Sequence, residues 1–128
     1  MLGSSKAIGS FSTDSVERAA AFYGDMLGIE TSIIDAGAPL LQLTFPHGAT
    51  FMVYEKEDHT PASHTVLMFP VADVSATARR LAEAGVPLER LPFTADDGVA
   101  RDPSGTMPDV AWFKDPAGNW LSLLASDV

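Results

Sequence analysis

The stretch that decides the fold reads Ala111-Trp112-Phe113-Lys114-Asp115-Pro116-Ala117-Gly118-Asn119-Trp120-Leu121-Ser122-Leu123-Leu124. Two short apolar runs flank an Asp/Pro/Gly/Asn connection, the signature of a β-hairpin. Gly118 is expected at positive φ, and the Asp115 carboxylate is placed to accept backbone N–H groups across the turn. A hairpin this aromatic belongs to a core. It locates that core without giving a function.

Immediately upstream, Leu91 to Asp109 is rich in Pro, Gly, Asp and Thr. Connections this long are uncommon in compact domains and often functional. Val99-Ala100-Arg101 reads as a short strand inside it and the rest as a connector or a lid, with Asp96, Asp97 and Arg101 within reach of a cavity mouth. Before the loop, His64 to Phe69 reads as a strand. Asp73 then caps a helix with Val74, Ala78, Leu81 and Ala82 on its apolar side, and Gly85 stops it.

The first half carries the same pattern. Ala7-Ile8-Gly9-Ser10-Phe11 is a weak first strand, whose Gly9 suits either a close backbone approach or open space. Asp14 reads as an N-cap with Glu17 as its capping-box partner. Val16, Ala19, Ala20, Tyr23, Met26 and Leu27 recur at helical spacing, which predicts a helix over about 15–26 ended by Gly28. Strands are expected at Glu30–Ile34, Leu40–Phe45 and Phe51–Glu55, the last apolar on both sides and therefore central or covered on both faces. Pro46-His47-Gly48 is a turn and Lys56–Ser63 a polar linker. The result is a degenerate strand–helix–strand–strand–strand repeat with a period of roughly 60 residues.

Composition narrows the function classes. The chain has 128 residues, 46% of them hydrophobic, enough for a continuous core without cross-links. It has no cysteine, which excludes thiol chemistry, zinc–thiolate sites and iron–sulfur clusters. Seventeen acidic against eight basic residues give a formal charge of -9, which opposes nucleic acid or an anionic membrane as partner and mildly favours a cationic ligand. No window reaches the ~20 apolar residues of a membrane span, and no signal-like apolar run follows the N-terminus. A soluble cytoplasmic protein is the expectation.

With hairpin and repeat in place, the chain resembles the vicinal-oxygen-chelate superfamily, also named for glyoxalase, bleomycin-resistance protein and extradiol dioxygenase. The resemblance rests on the run from Asp14-Ser15-Val16-Glu17-Arg18 through Phe22-Tyr23-Gly24-Asp25-Met26-Leu27-Gly28-Ile29, on Val71-Ala72-Asp73-Val74, on Ala84-Gly85-Val86 and on the closing hairpin. It implies an α+β fold of two βαβββ modules forming a curved mixed sheet around a cavity. The modules are expected at about 5–56 and 64–126, within one domain spanning 1–128. It also implies a homodimer, with sites where modules meet.

Metal-dependent members of that superfamily hold a divalent ion with His, Gln and Glu side chains, leaving positions open for two vicinal substrate oxygens. Carried over by offset, the first ligand position, seven residues before the capping Asp14, is Ala7, and the corresponding offset from Asp73 gives Val66. The last, seven residues after Asp115, is Ser122, and a fourth falls near Glu55. Alanine and valine have no donor atom, and serine is a poor neutral ligand. His64, two residues before Val66, is the other candidate donor, so a divalent metal at His64 and Glu55 is the alternative to no cofactor. His47 and His59 read as turn and linker residues.

What remains is an apolar pocket with a few polar handles. By strand alternation, Trp120, Ser122 and Leu124 share a face, as do His64, Val66 and Met68, and Ala7, Gly9 and Phe11. The candidate ligand-binding residues are Phe11, Glu55, His64, Val66, Met68, Trp112, Trp120 and Ser122; none is assigned as catalytic. The expected function is metal-free binding of a small molecule, in the manner of bleomycin-resistance-type members. The alternatives are a glyoxalase- or dioxygenase-like enzyme with an atypical metal site, a metal-independent lyase or isomerase using His64 or Glu55 as general base, and an interaction module with a collapsed cavity.

Overall fold

A computed structural model describes residues 1–126, and the chain divides between Pro61 and Ala62 into two compact units. In the first, strand β1 (Gly9–Thr13) leads into helix α1 (Val16–Ala20), which continues as a π-helical turn over Ala21–Met26. Strands β2 (Glu30–Asp35), β3 (Pro39–Thr44) and β4 (Thr50–Glu55) complete a sheet of order β1-β4-β3-β2. β4 is central, the first of the two placements its apolar character allows, pairing in parallel with β1 and antiparallel with β3.

The first helix ends at Met26 with Gly28 at positive φ, as expected, but differs in its N-cap and in the winding of its second half. Its N-cap is Ser15, whose hydroxyl accepts the Arg18 N–H at 3.2 Å. Asp14 instead makes an exposed ion pair with Arg18 (3.3 Å). Beyond Ala20 the helix widens, and the Leu27 N–H reaches back five residues to the Phe22 carbonyl (3.0 Å). The wide turn keeps the adjacent Phe22 and Tyr23 both in the core, with their rings edge-to-face at 5.0 Å. Gly24 lies in this turn against β2, where a Cβ would come within 2.9 Å of Thr31 Oγ1.

The second unit repeats the topology. Strand β5 (Thr65–Val71) precedes helix α2 (Val74–Glu83). Strands β6 (Val99–Ala100), β7 (Val110–Lys114) and β8 (Trp120–Ala125) follow, and the sheet order is β5-β8-β7-β6. Asp73 caps α2 as expected, its Oδ1 accepting the Ala76 N–H at 3.0 Å. Val74, Ala78 and Leu81 of α2 are buried, as are Leu67, Ala111, Phe113, Leu121 and Leu123 on one face of the sheet. Burying a side chain such as Phe113 or Leu121 contributes about 1.5–3 kcal/mol. The repeat read from the pattern is thus a repeat of structure, two βαβββ modules each with its own mixed sheet.

The closing hairpin has the expected chemistry. Gly118 sits at φ 87°. Asp115 is buried, and its Oδ1 accepts the N–H groups of Ala117 (3.0 Å) and Asn119 (2.8 Å). β5 is irregular at its start. Its register against β8 jumps between Thr65 and Leu67, which leaves Val66 as an extra, bulged residue. Among the described residues no helix is long and apolar enough to cross a membrane.

Candidate functional site

Each sheet has a face toward its helix and a face away from it, and register assigns every strand residue to one of them. In the first unit, Phe11 pairs with Val53 and Val53 with Leu41, all three buried on the helix side. The Phe11 ring meets Tyr23 edge-on at 6.0 Å. Glu55 shares that side, and its Oε1 accepts the Val16 N–H at 2.9 Å, adding a carboxylate to the positive end of the helix. The structure therefore places Phe11 and Glu55 in the core and cap of the first module, where sequence alternation had expected cavity-lining positions. Gly9 leaves no open room either. A Cβ there would fall 2.3 Å from the Phe51 ring, which fills the space.

The face away from the helix carries Ser10, Ser12, Met52, Tyr54, Leu40 and Gln42 in the first unit. Ser12 Oγ lies 2.7 Å from Nδ1 of His59, so the linker histidine packs onto β1. This contact was not read from the sequence, because a histidine in a polar linker gives no signal of its partner.

The second unit presents the richer face. Across β5, β8 and β7 one row runs Met68, Ser122, Trp112, and the next runs Thr65, Trp120, Lys114. Four of the eight expected ligand-binding residues, Met68, Trp112, Trp120 and Ser122, are thus brought to one face. Ser122 is buried, Trp112 and Trp120 are half-buried and Met68 is exposed. Val66 stands at the bulge, and His64 is exposed just before β5.

Two further residues join this face. The Phe93 ring meets Trp112 edge-on at 5.5 Å. Lys114 Nζ stands 4.6 Å from the Trp120 ring centroid and 3.8 Å from Glu89 Oε1, combining a cation–π contact with an exposed ion pair. Phe93 was passed over in the sequence as part of a Pro- and Thr-rich loop. A lone exposed aromatic in such a loop is the signal that was available.

The long loop divides between the two sides of the sheet, with Phe93 on this face and its later part beside α2. Asp97 pairs with Arg101 (2.6 Å), and Arg101 Nη2 also donates to Ser75 Oγ of α2 (3.0 Å). These two expected cavity-mouth residues therefore stand beside the helix. The Arg101 guanidinium, followed by the Val99 N–H, holds the Asp97 carboxyl at about 2. Further along, Asp102 accepts the Met107 and Ser104 N–H groups, and these bonds lower its pKa in the same direction.

Residues 9–123 match the family described as Glyoxalase/Bleomycin resistance protein/Dioxygenase superfamily. The chain belongs to that superfamily. Solved structures share its fold. TnmS3, an antibiotic binding protein from Streptomyces sp. CB03234, is 24% identical, covering 94% of this chain and 96% of its own (TM-score 0.69). Lactoylglutathione lyase from Agrobacterium tumefaciens is 20% identical, covering 94% and 93% (TM-score 0.68). The genomically encoded fosfomycin resistance protein FosX from Listeria monocytogenes is 12% identical, covering 95% and 93% (TM-score 0.69). No curated protein sequence matches significantly.

Metal-dependent members of the superfamily need several N/O donors, and the residues of this member do not fit one. The first ligand position by offset is Ala7, and neither it nor the adjacent Ile8 has a donor atom. Val66 and Ser122 occupy two other positions, and Glu55 is engaged by the Val16 N–H. Among the described residues there is no group of three or more His, Cys, Asp or Glu side chains that could hold a metal ion.

Proposed function

We propose that this chain is a small-molecule binding protein that sequesters a flat, largely apolar ligand without metal chemistry. The observation that carries the reading is the helix-free face of β7 and β8, where Trp112 and Trp120 stand with Met68 and the buried hydroxyl of Ser122. Phe93 extends the aromatic surface, and Ser122 offers one orienting hydrogen bond in an apolar setting. Val66 and His64, at the head of β5, are proposed as edge contacts; Phe11 and Glu55 are left to the core and the helix cap. The formal charge of -9 supports a neutral or cationic ligand over an anionic one at this face. The likeness to TnmS3, an antibiotic binding protein, and to the fosfomycin resistance protein supports including antibiotics among the ligands screened. A homodimer is part of the same reading.

Both of the chain's tryptophans lie on this face, so intrinsic fluorescence reports on it selectively. A screen of neutral and cationic aromatic compounds, read by tryptophan quenching and by thermal shift, is expected to yield compounds that do both. Trp112→Ala is expected to weaken the best of them at least tenfold, with no stoichiometric metal in the purified protein. A bound stoichiometric divalent ion, or no ligand that alters fluorescence and melting together, would overturn the reading. Sedimentation equilibrium tests the dimer.

A further inference from the structure

The second unit has a groove on the other side of its sheet, between α2 and the segment 87–99, with a volume of about 340 Å³. That lies at the small end of ligand pockets, which run from about 300 Å³ upward. Ala78 and Ala82, one helical turn apart, leave the space, and Pro87, Leu88 and Val99 complete an apolar lining. The polar groups are Ser75, Arg79, Arg90 and Asp97.

Charge decides what the groove suits. The one carboxylate, Asp97, is matched by Arg101 through two contacts, 2.6 and 3.2 Å, and accepts the Val99 N–H at 3.1 Å. Arg90 donates through Nη1 to the Asp96 carbonyl, a neutral acceptor that leaves its charge in place. Neither Arg79 nor Arg90 has a carboxylate partner among the described residues. A chain with a formal charge of -9 thus keeps two uncompensated guanidinium groups over an apolar lining. Planar guanidinium forks match the paired oxygens of carboxylates and phosphates.

We propose that this groove binds a small amphipathic anion, with a carboxylate or phosphate monoester head on Arg79 and Arg90 and a short apolar body against Ala78, Ala82 and Leu88. The site is separate from the tryptophan-bearing face and does not depend on what binds there.

The test is an amide NMR titration of the full chain with phenyl phosphate, hexanoate, inorganic phosphate and hexylammonium. Phenyl phosphate and hexanoate are expected to shift the amides of Ala78, Ala82, Leu88 and Val99 saturably. Inorganic phosphate should bind more weakly for want of an apolar body, and hexylammonium should leave these amides in place. The double variant Arg79→Gln/Arg90→Gln alters two exposed side chains and is expected to weaken phenyl phosphate at least tenfold. Ala82→Leu keeps both arginines and should weaken it by occupying the groove. Unchanged affinity in either variant, anion-induced shifts confined to other residues, or an equal response to hexylammonium would each overturn the proposal.

Discussion

Asp115 and Asn119 hold each other inside the closing hairpin: Asn119 Nδ2 donates to Asp115 Oδ2 at 3.0 Å, while the Asn119 N–H donates to Asp115 Oδ1 at 2.8 Å. Asn119 Oδ1 in turn accepts the Ala62 N–H at 3.3 Å, so the turn also anchors the chain ahead of β5. Both residues are buried, and removing the carboxylate strands donors that have no water to turn to. Asp115→Ala is expected to cost about 3 kcal/mol and Asp115→Asn less, since an amide oxygen still accepts. Urea denaturation followed by tryptophan fluorescence measures both.

Gly118 occupies φ 87° in the same turn. A β-branched side chain is strained there, whereas asparagine tolerates left-handed backbone. Gly118→Val is expected to lose about 1–3 kcal/mol and Gly118→Asn clearly less. Equal stability of the two variants would contradict a strain of backbone origin.

Gly9 supports a different kind of tightness. Its φ is ordinary, but a Cβ would sit 2.3 Å from Cε2 and 2.7 Å from Cδ2 of Phe51. Gly9→Ala should therefore destabilise by about 1–3 kcal/mol through overpacking. The compensating pair Gly9→Ala/Phe51→Leu should recover part of the loss, which a double-mutant cycle resolves.

Glu55 separates a structural carboxylate from a metal ligand. Because its Oε1 accepts the Val16 N–H, Glu55→Ala is expected to lower stability by about 1 kcal/mol, the scale of a lost helix cap. Glu55→Gln should lose less. Zinc or manganese should leave the melting temperatures of all three proteins unchanged; a metal-dependent rise present only with Glu55 would reverse that assignment.

Asp97 predicts a pH effect with a definite sign. Its folded pKa, about 2, lies below the usual 3.8, so the stabilisation is full above pH 4 and is lost as pH falls through 4 toward 2. The pair with Arg101 is half-exposed, so solvent screening limits it to about 0.2–1 kcal/mol. Carboxyl NMR titration should find Asp97 low in the native chain and returned toward the ordinary range by Arg101→Gln.

The features legible in the sequence were those encoded locally. Alternation, turn chemistry and glycine stops revealed the two βαβββ modules, the short strand at Val99 and the positive φ of Gly118. The errors arose where distant residues arbitrate between adjacent options. Asp14 and Ser15 are both good caps; Ser15 caps, with the Glu55 carboxylate of β4 holding the next N–H. The facing of β1 is likewise set at a distance: its register against β4 stands Phe11 beside Val53, which is why Phe11 lies in the core. The bulge at Val66 depends on pairing with β8, a strand more than fifty residues away, and no local pattern encodes it. Gly9 leaves close approach and open space equally open in the sequence, because only the fold brings Phe51 beside it.

The π-helical turn at Ala21–Met26 fits one more residue into its loop of hydrogen bonding than an α-helical turn would. Removing that residue would regularise the hydrogen bonding and also rotate everything downstream by about 100°. Tyr23 would swing away from Phe11, and Gly24 would lose its place beside Thr31. The irregular turn is therefore a spacer on which the aromatic core depends: its one extra residue per turn sets the angle at which Phe22 and Tyr23 meet that core.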